Sequence, residues 1–156
     1  MRFQLLSLSA VALLACAKSE TPKADTTTPA AAPAPAPAPA APTISLADVA
    51  GTWEGKVMPM DKDTTLATTT VVATATKDGW TMKLSNGASV PLTVGEVAGD
   101  SIIVTAADFK SAVKKGVQVK SIHSIYKLQN GKLVSVTHAT YSDGATATYR
   151  TESTKK

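Results

Sequence analysis

Val119-Lys120-Ser121-Ile122-His123-Ser124-Ile125-Tyr126-Lys127-Leu128-Gln129-Asn130-Gly131-Lys132-Leu133-Val134-Ser135-Val136-Thr137-His138 is the stretch that decides the fold. Two β-rich runs flank an Asn-Gly pair, and both residues of such a pair tolerate positive φ. The stretch therefore reads as an antiparallel hairpin with a two-residue loop. The turn sets the register: Gln129 faces Lys132, and His123 falls directly opposite His138. These are the only two histidines in the chain.

The same signal recurs at Asp78-Gly79, Asn86-Gly87 and Asp143-Gly144, and Gly99-Asp100 adds a pair with glycine first. Strands are expected near 52–58, 64–77, 80–85, 88–98, 101–107, 116–129, 132–142 and 145–151. A two-residue loop at Asp78-Gly79 aligns Ala73 with Leu84 and Ala75 with Met82. The same loop at Asp143-Gly144 places Tyr149 near His138 and puts Arg150 on the opposite face, with Ala139 and Tyr141. About eight sequential antiparallel strands hide their edges best in a closed up-and-down barrel, with a two-sheet sandwich as the alternative. The fourth strand is mixed on both faces, which predicts a bulge or a polar interior. Between strands, Asp108 to Lys115 is expected to form one helical turn. Its Phe109, Ala112 and Val113 share a side, Gly116 ends it, and Phe109 plugs one barrel mouth.

The N-terminal part has a different composition. Arg2 precedes an apolar run from Phe3 to Leu14, and Leu13-Leu14-Ala15 leads into Cys16, the single cysteine. The run is shorter than the roughly 20 apolar residues that span a bilayer. These features resemble the signal and lipobox of bacterial lipoproteins. That resemblance implies cleavage after residue 15, a diacylglyceryl group on Cys16, membrane lipid as a partner and a place in the bacterial cell envelope. Ala17 after the cysteine implies the outer membrane where the host has one. Residues 16–43 read as a tether in which Pro29, Pro33, Pro35, Pro37, Pro39 and Pro42 alternate with alanines. Polyproline-II geometry at about 3.1 Å per residue gives that run a reach of roughly 40 Å. Residues 44–156 form the one domain.

Gly51-Thr52-Trp53 opens the first strand and Arg150 lies in the last. This pattern resembles the lipocalins and their calycin relatives, in which a Gly-x-Trp packs on an arginine of the final strand. The resemblance implies that Trp53 and Arg150 close one end of a lipocalin-like barrel that binds a small ligand.

Composition narrows the function. The whole chain carries a formal charge of +4, and residues 44–156 hold 13 Lys and Arg against 10 Asp and Glu. Lys110, Lys114, Lys115 and Lys120 are the one local cluster. Nucleic-acid partners are excluded, because such proteins carry denser basic stripes interleaved with aromatics. Ser111-Ala112-Val113-Lys114 matches Ser-x-x-Lys, but no Lys-Thr-Gly accompanies it, and no Gly-x-Ser-x-Gly elbow or glycine-rich phosphate loop occurs. Glu54 and Glu96 are isolated. No enzyme and no cofactor is expected. His123 and His138 are two ligands where a durable zinc site takes three or four. Tyr149 is a poor third, so no metal site is expected and the pair reads as surface or packing residues.

The second strand is rich in Thr, Ala and Val, and aromatics make up 4% of the chain. An eight-stranded barrel filled with small residues is either narrow or hollow. The expected function is therefore an envelope lipoprotein whose barrel binds a small apolar or amphipathic ligand, with Trp53, Trp80, Tyr126 and Tyr141 as lining residues. The alternative is a non-enzymatic interaction module. Its lysine cluster would contact peptidoglycan, an envelope protein or another macromolecule.

Overall fold

The computed structural model describes residues 43–156. The signal, Cys16 and the proline-rich run lie outside the described residues. A short helix, α1 (Leu46–Val49), leads into nine strands: β1 (Gly51–Pro59), β2 (Ala67–Ala73), β3 (Thr81–Leu84), β4 (Ser89–Pro91), β5 (Thr93–Ala98), β6 (Ser101–Lys110), β7 (Gln118–Gln129), β8 (Lys132–Tyr141) and β9 (Thr146–Lys155). All pairings are antiparallel, in one sheet of order β4-β3-β2-β1-β9-β8-β7-β6-β5. The sheet's two edges, β4 and β5, are separated in the chain by Leu92 alone. One bent segment thus supplies both edges and nearly closes the barrel, so neither edge is left as a long template for another chain. The expected fourth strand, 88–98, is this segment. Its mixed faces reflect the switch of partner at Leu92 and a bulge between Val94 and Val97.

The glycine turns set the registers, and they do so in three ways. At Asn130-Gly131 both residues take positive φ, 51° and 73°, and Gln129 pairs with Lys132 as the two-residue loop requires. At Asp143-Gly144 only the glycine does so. The Asp143 carboxylate instead accepts the Ala145 N–H at 2.9 Å, and Tyr141 N–H reaches Ala145 O at 2.9 Å, giving a three-residue loop. His138 therefore pairs with Thr148 and not Tyr149. A one-residue slip exchanges faces, so Tyr149 points inward and Arg150 points outward, on the face of His138. Around Asp78-Gly79 the connection runs from Thr74 to Trp80. The Trp80 indole donates to Thr74 O at 3.1 Å and Thr76 O at 3.0 Å, taking carbonyls that a tight ladder would use. Leu84 consequently faces Thr69, and Met82 faces Val71. This is an even shift from the expected register, so the inward residues stay inward.

The helical turn expected at 108–115 does not form. The β6 ladder continues through Lys110, with Asp108 at φ 54° as an irregularity, and residues 111–117 make a turn closed by Ser111 N–H to Val117 O at 2.9 Å. Ser111 Oγ accepts the Val113 and Lys114 N–H groups, satisfying the donors that a helix would have used. The helix forms instead at Leu46–Val49, where Ser45 and Asp48 make a reciprocal capping box.

Side chains alternate across the wall. One end of the barrel holds Val49, Trp53 and Trp80, at most 2% exposed, with Leu92, Ile102 and Leu133. The Trp53 indole donates to Val49 O at 2.7 Å, so α1 seals this end. Trp80 meets Tyr126 edge-on at 6.4 Å. Gly55 marks the waist: a Cβ there would stand 2.9 Å from Thr151 Cγ2 and would also strike Ser153 Oγ. The glycine lets β1, β2 and β9 approach closely at a barrel corner.

Candidate functional site

Beyond the waist the barrel is lined by small residues. Ala67, Thr69, Ser124 and Ala139 face the interior, and they leave a cavity of about 80 Å³ bounded by Met82, Leu84, Ile122 and Tyr126. The inward positions of β2, β7 and β8 alternate by the two-residue period of a strand, and here that period lands on Ala, Ser and Thr. Phe109, Ala112, Val113 and Tyr149 border the mouth. Phe109 sits where the sequence expectation placed it, carried by a strand end and not by a helix.

The polar groups on this wall mostly satisfy each other. Ser124 Oγ and Thr137 Oγ1 lie 2.8 Å apart, and the Tyr141 and Tyr149 hydroxyls lie 2.7 Å apart. Lys114 holds its ammonium 4.1 Å from the centre of the Tyr141 ring, a cation–π contact at the rim. Burial pushes the Tyr126 phenol up to about 12, against a hydrogen bond from Ser135. Burial also raises Tyr141, helped by the Tyr149 hydroxyl and the Asp143 charge. At neutral pH both phenols are therefore uncharged hydroxyls. No Asp or Glu lines the cavity, nor the outer depression beside it, which is bordered by Asn86, Lys110, Lys115 and Gln118.

Of the four aromatics expected to line a ligand site, Tyr126 and Tyr141 border the cavity, whereas Trp53 and Trp80 are packing residues of the sealed end. The structure does not bring Trp53 and Arg150 together. Trp53 faces Lys155, whose ammonium lies 5.5 Å from the indole, and Arg150 faces Met58. The Arg150 guanidinium binds Asp63, Glu152 and the Lys62 carbonyl, fastening the β1–β2 connection to the outer wall. Tyr149 is the site residue that the two-residue reading of Asp143-Gly144 placed on the wrong face. The signal that could have found it is the Asx bond open to Asp143.

His123 and His138 are opposed as expected, and both are exposed on the outer wall. Among the described residues no group of three or more His, Cys, Asp or Glu is arranged to hold a metal. No described helix is long and apolar enough to cross a membrane. Comparison with known proteins found no matching family model, no matching curated protein and no matching solved structure.

Proposed function

We propose that the chain is a lipid-anchored envelope protein whose barrel takes up a small amphipathic anion, and that it is a binding protein and not an enzyme. The observation that carries the reading is the cavity of about 80 Å³ at one end of an otherwise solid barrel. Ligand pockets for larger molecules measure about 300–1,000 Å³, so the space admits a short tail and not a whole lipid. An apolar cavity of about 150 Å³ accepts benzene, which limits the tail to a few carbons. The head would lie at the mouth, beside the Lys114 ammonium and the Tyr141–Tyr149 hydroxyl pair, with the Asp143 charge as the one carboxylate acting against an anion there. The anchor rests on Leu13-Leu14-Ala15-Cys16. Replacing Cys16 by Ser should move the protein from the membrane to the soluble fraction, and its retention on the membrane would contradict the anchor.

Calorimetric titration of the full chain bearing Cys16→Ser with straight-chain carboxylates, acetate to octanoate, tests the binding. Affinity is expected to rise by up to about 0.8 kcal/mol per buried methylene and then stop once the tail outgrows the cavity. Ala139→Val, which fills the space, should abolish binding, and Lys114→Gln should weaken carboxylates while sparing the matching alcohols. A folded protein that binds none of the series, or binds it unchanged after Ala139→Val, sinks the proposal.

A second reading has one observation in its favour, the outer depression edged by Lys110 and Lys115. There an acidic wall polymer or envelope protein would be held by charge. Such contact weakens as salt shortens the Debye length, about 10 Å at 0.1 M, while a buried tail is retained.

A further inference from the structure

The outer wall carries a feature that the cavity does not use. His123 on β7 and His138 on β8 are direct cross-strand partners, and both project into solvent. Opposed residues of an antiparallel pair have Cβ atoms about 4.5–5.5 Å apart, a spacing from which two imidazoles can reach one ion. The next strand adds a third component. Thr148 of β9 is the direct partner of His138, and its Oγ1 lies 3.0 Å from His138 Nδ1. With Nδ1–H donating to the hydroxyl, Nε2 carries the free lone pair. This is how metal-binding histidines are commonly oriented by an outer partner. The adjacent outward positions are Thr105, Ser121, Ile125, Val136 and Thr140, none of them cationic. Arg150, diagonal to His138, is held by Asp63 and Glu152.

We propose that His123 and His138 chelate one late first-row divalent cation, copper(II) before nickel(II) and zinc(II), with water completing the coordination. Imidazole suits these ions, and copper(II) stands highest in the general affinity order for nitrogen ligands. Two side chains make an open, exchangeable site, unlike a closed structural one. The site stands independently of the cavity reading, since its residues lie on the opposite face of the wall.

The test uses the full chain bearing Cys16→Ser, which removes the competing thiol, titrated with copper(II) alone and followed by calorimetry and electron paramagnetic resonance. One ion per chain with two-nitrogen hyperfine structure is expected. Because the two ligands act as a linked pair, His123→Ala and His138→Ala should each lower affinity by at least about tenfold, nearly as far as the double variant. Thr148→Val should weaken binding while leaving both nitrogens coordinated. Both histidines are exposed, so folding is monitored by an unchanged circular dichroism spectrum and is not itself at issue. A double variant that binds as tightly as the parent overturns the proposal. So does either single variant that keeps full affinity, since a lone histidine would then account for the binding.

Discussion

The two ends of this barrel share the same strands and differ in what those strands point inward. At the sealed end the inward positions carry Trp53, Trp80, Leu92 and Leu133, and α1 covers them with Val49. At the other end the same walls present Ala67, Thr69, Ser124 and Ala139. Barrel size follows strand number, so side-chain volume alone decides which end is solid. Both ends of the domain's chain also lie at the sealed end: Ile44 N–H bonds Gly99 O at 2.8 Å and Lys156 N–H bonds Thr52 O at 2.9 Å. The hollow mouth is thus on the far side from the point where the N-terminal segment enters.

The contrast can be broken at the sealed end first. Trp53→Ala removes a fully buried indole together with its bond to Val49 O, and should cost about 3–5 kcal/mol in denaturant unfolding. A smaller and more diagnostic effect compares one substitution at both ends. Ala73→Val adds two methyl groups where packing is complete and should destabilise by about 1–3 kcal/mol. Ala139→Val adds the same volume beside the cavity and should leave stability unchanged or raised. Equal costs at the two sites would mean that the ends are packed alike.

A further effect appears only in alkali. The Tyr126 pKa is raised from 10 to about 12 in the folded chain, so the folded state holds its proton more tightly than the unfolded state. The resulting stability is fully present below pH 10 and is lost as pH rises through about 12. Unfolding followed across that window should show the decline, and Tyr126→Phe should lessen it, leaving the share that the raised Tyr141 phenol contributes. A decline equally steep in Tyr126→Phe would assign it to another group.

Much of this was legible because hairpin turns are local. Asn130-Gly131 specified its register correctly, and with it the opposed histidines, since both residues reach positive φ without other bonds. Asp143-Gly144 misled because the Asp143 side chain bonds Ala145, lengthening the loop by one residue and turning Tyr149 inward and Arg150 outward. Phe109, Ala112 and Val113 have helical spacing, yet the β6–β7 ladder and the Ser111 hydroxyl claim the same backbone groups. The Ser45-to-Asp48 capping box was readable, but a strand pattern passes over it. The β1–β9 pairing that sets Trp53 against Lys155, and not Arg150, joins the two ends of the domain with no short turn between them. For the same reason the sequence could not tell which aromatics seal the barrel and which line the space. Depth along the barrel axis depends on stagger accumulated over every strand.

Methyl-resolved NMR of the full chain bearing Cys16→Ser under pressurised xenon tests the hollow end most directly. Shifts should appear at Val57, Leu84, Val119 and Ile122, which border the cavity, and not at Val49, Ile102 or Leu133 of the sealed end. Shifts shared by both ends, or absent from both, would contradict a barrel that is solid at one end and receptive at the other.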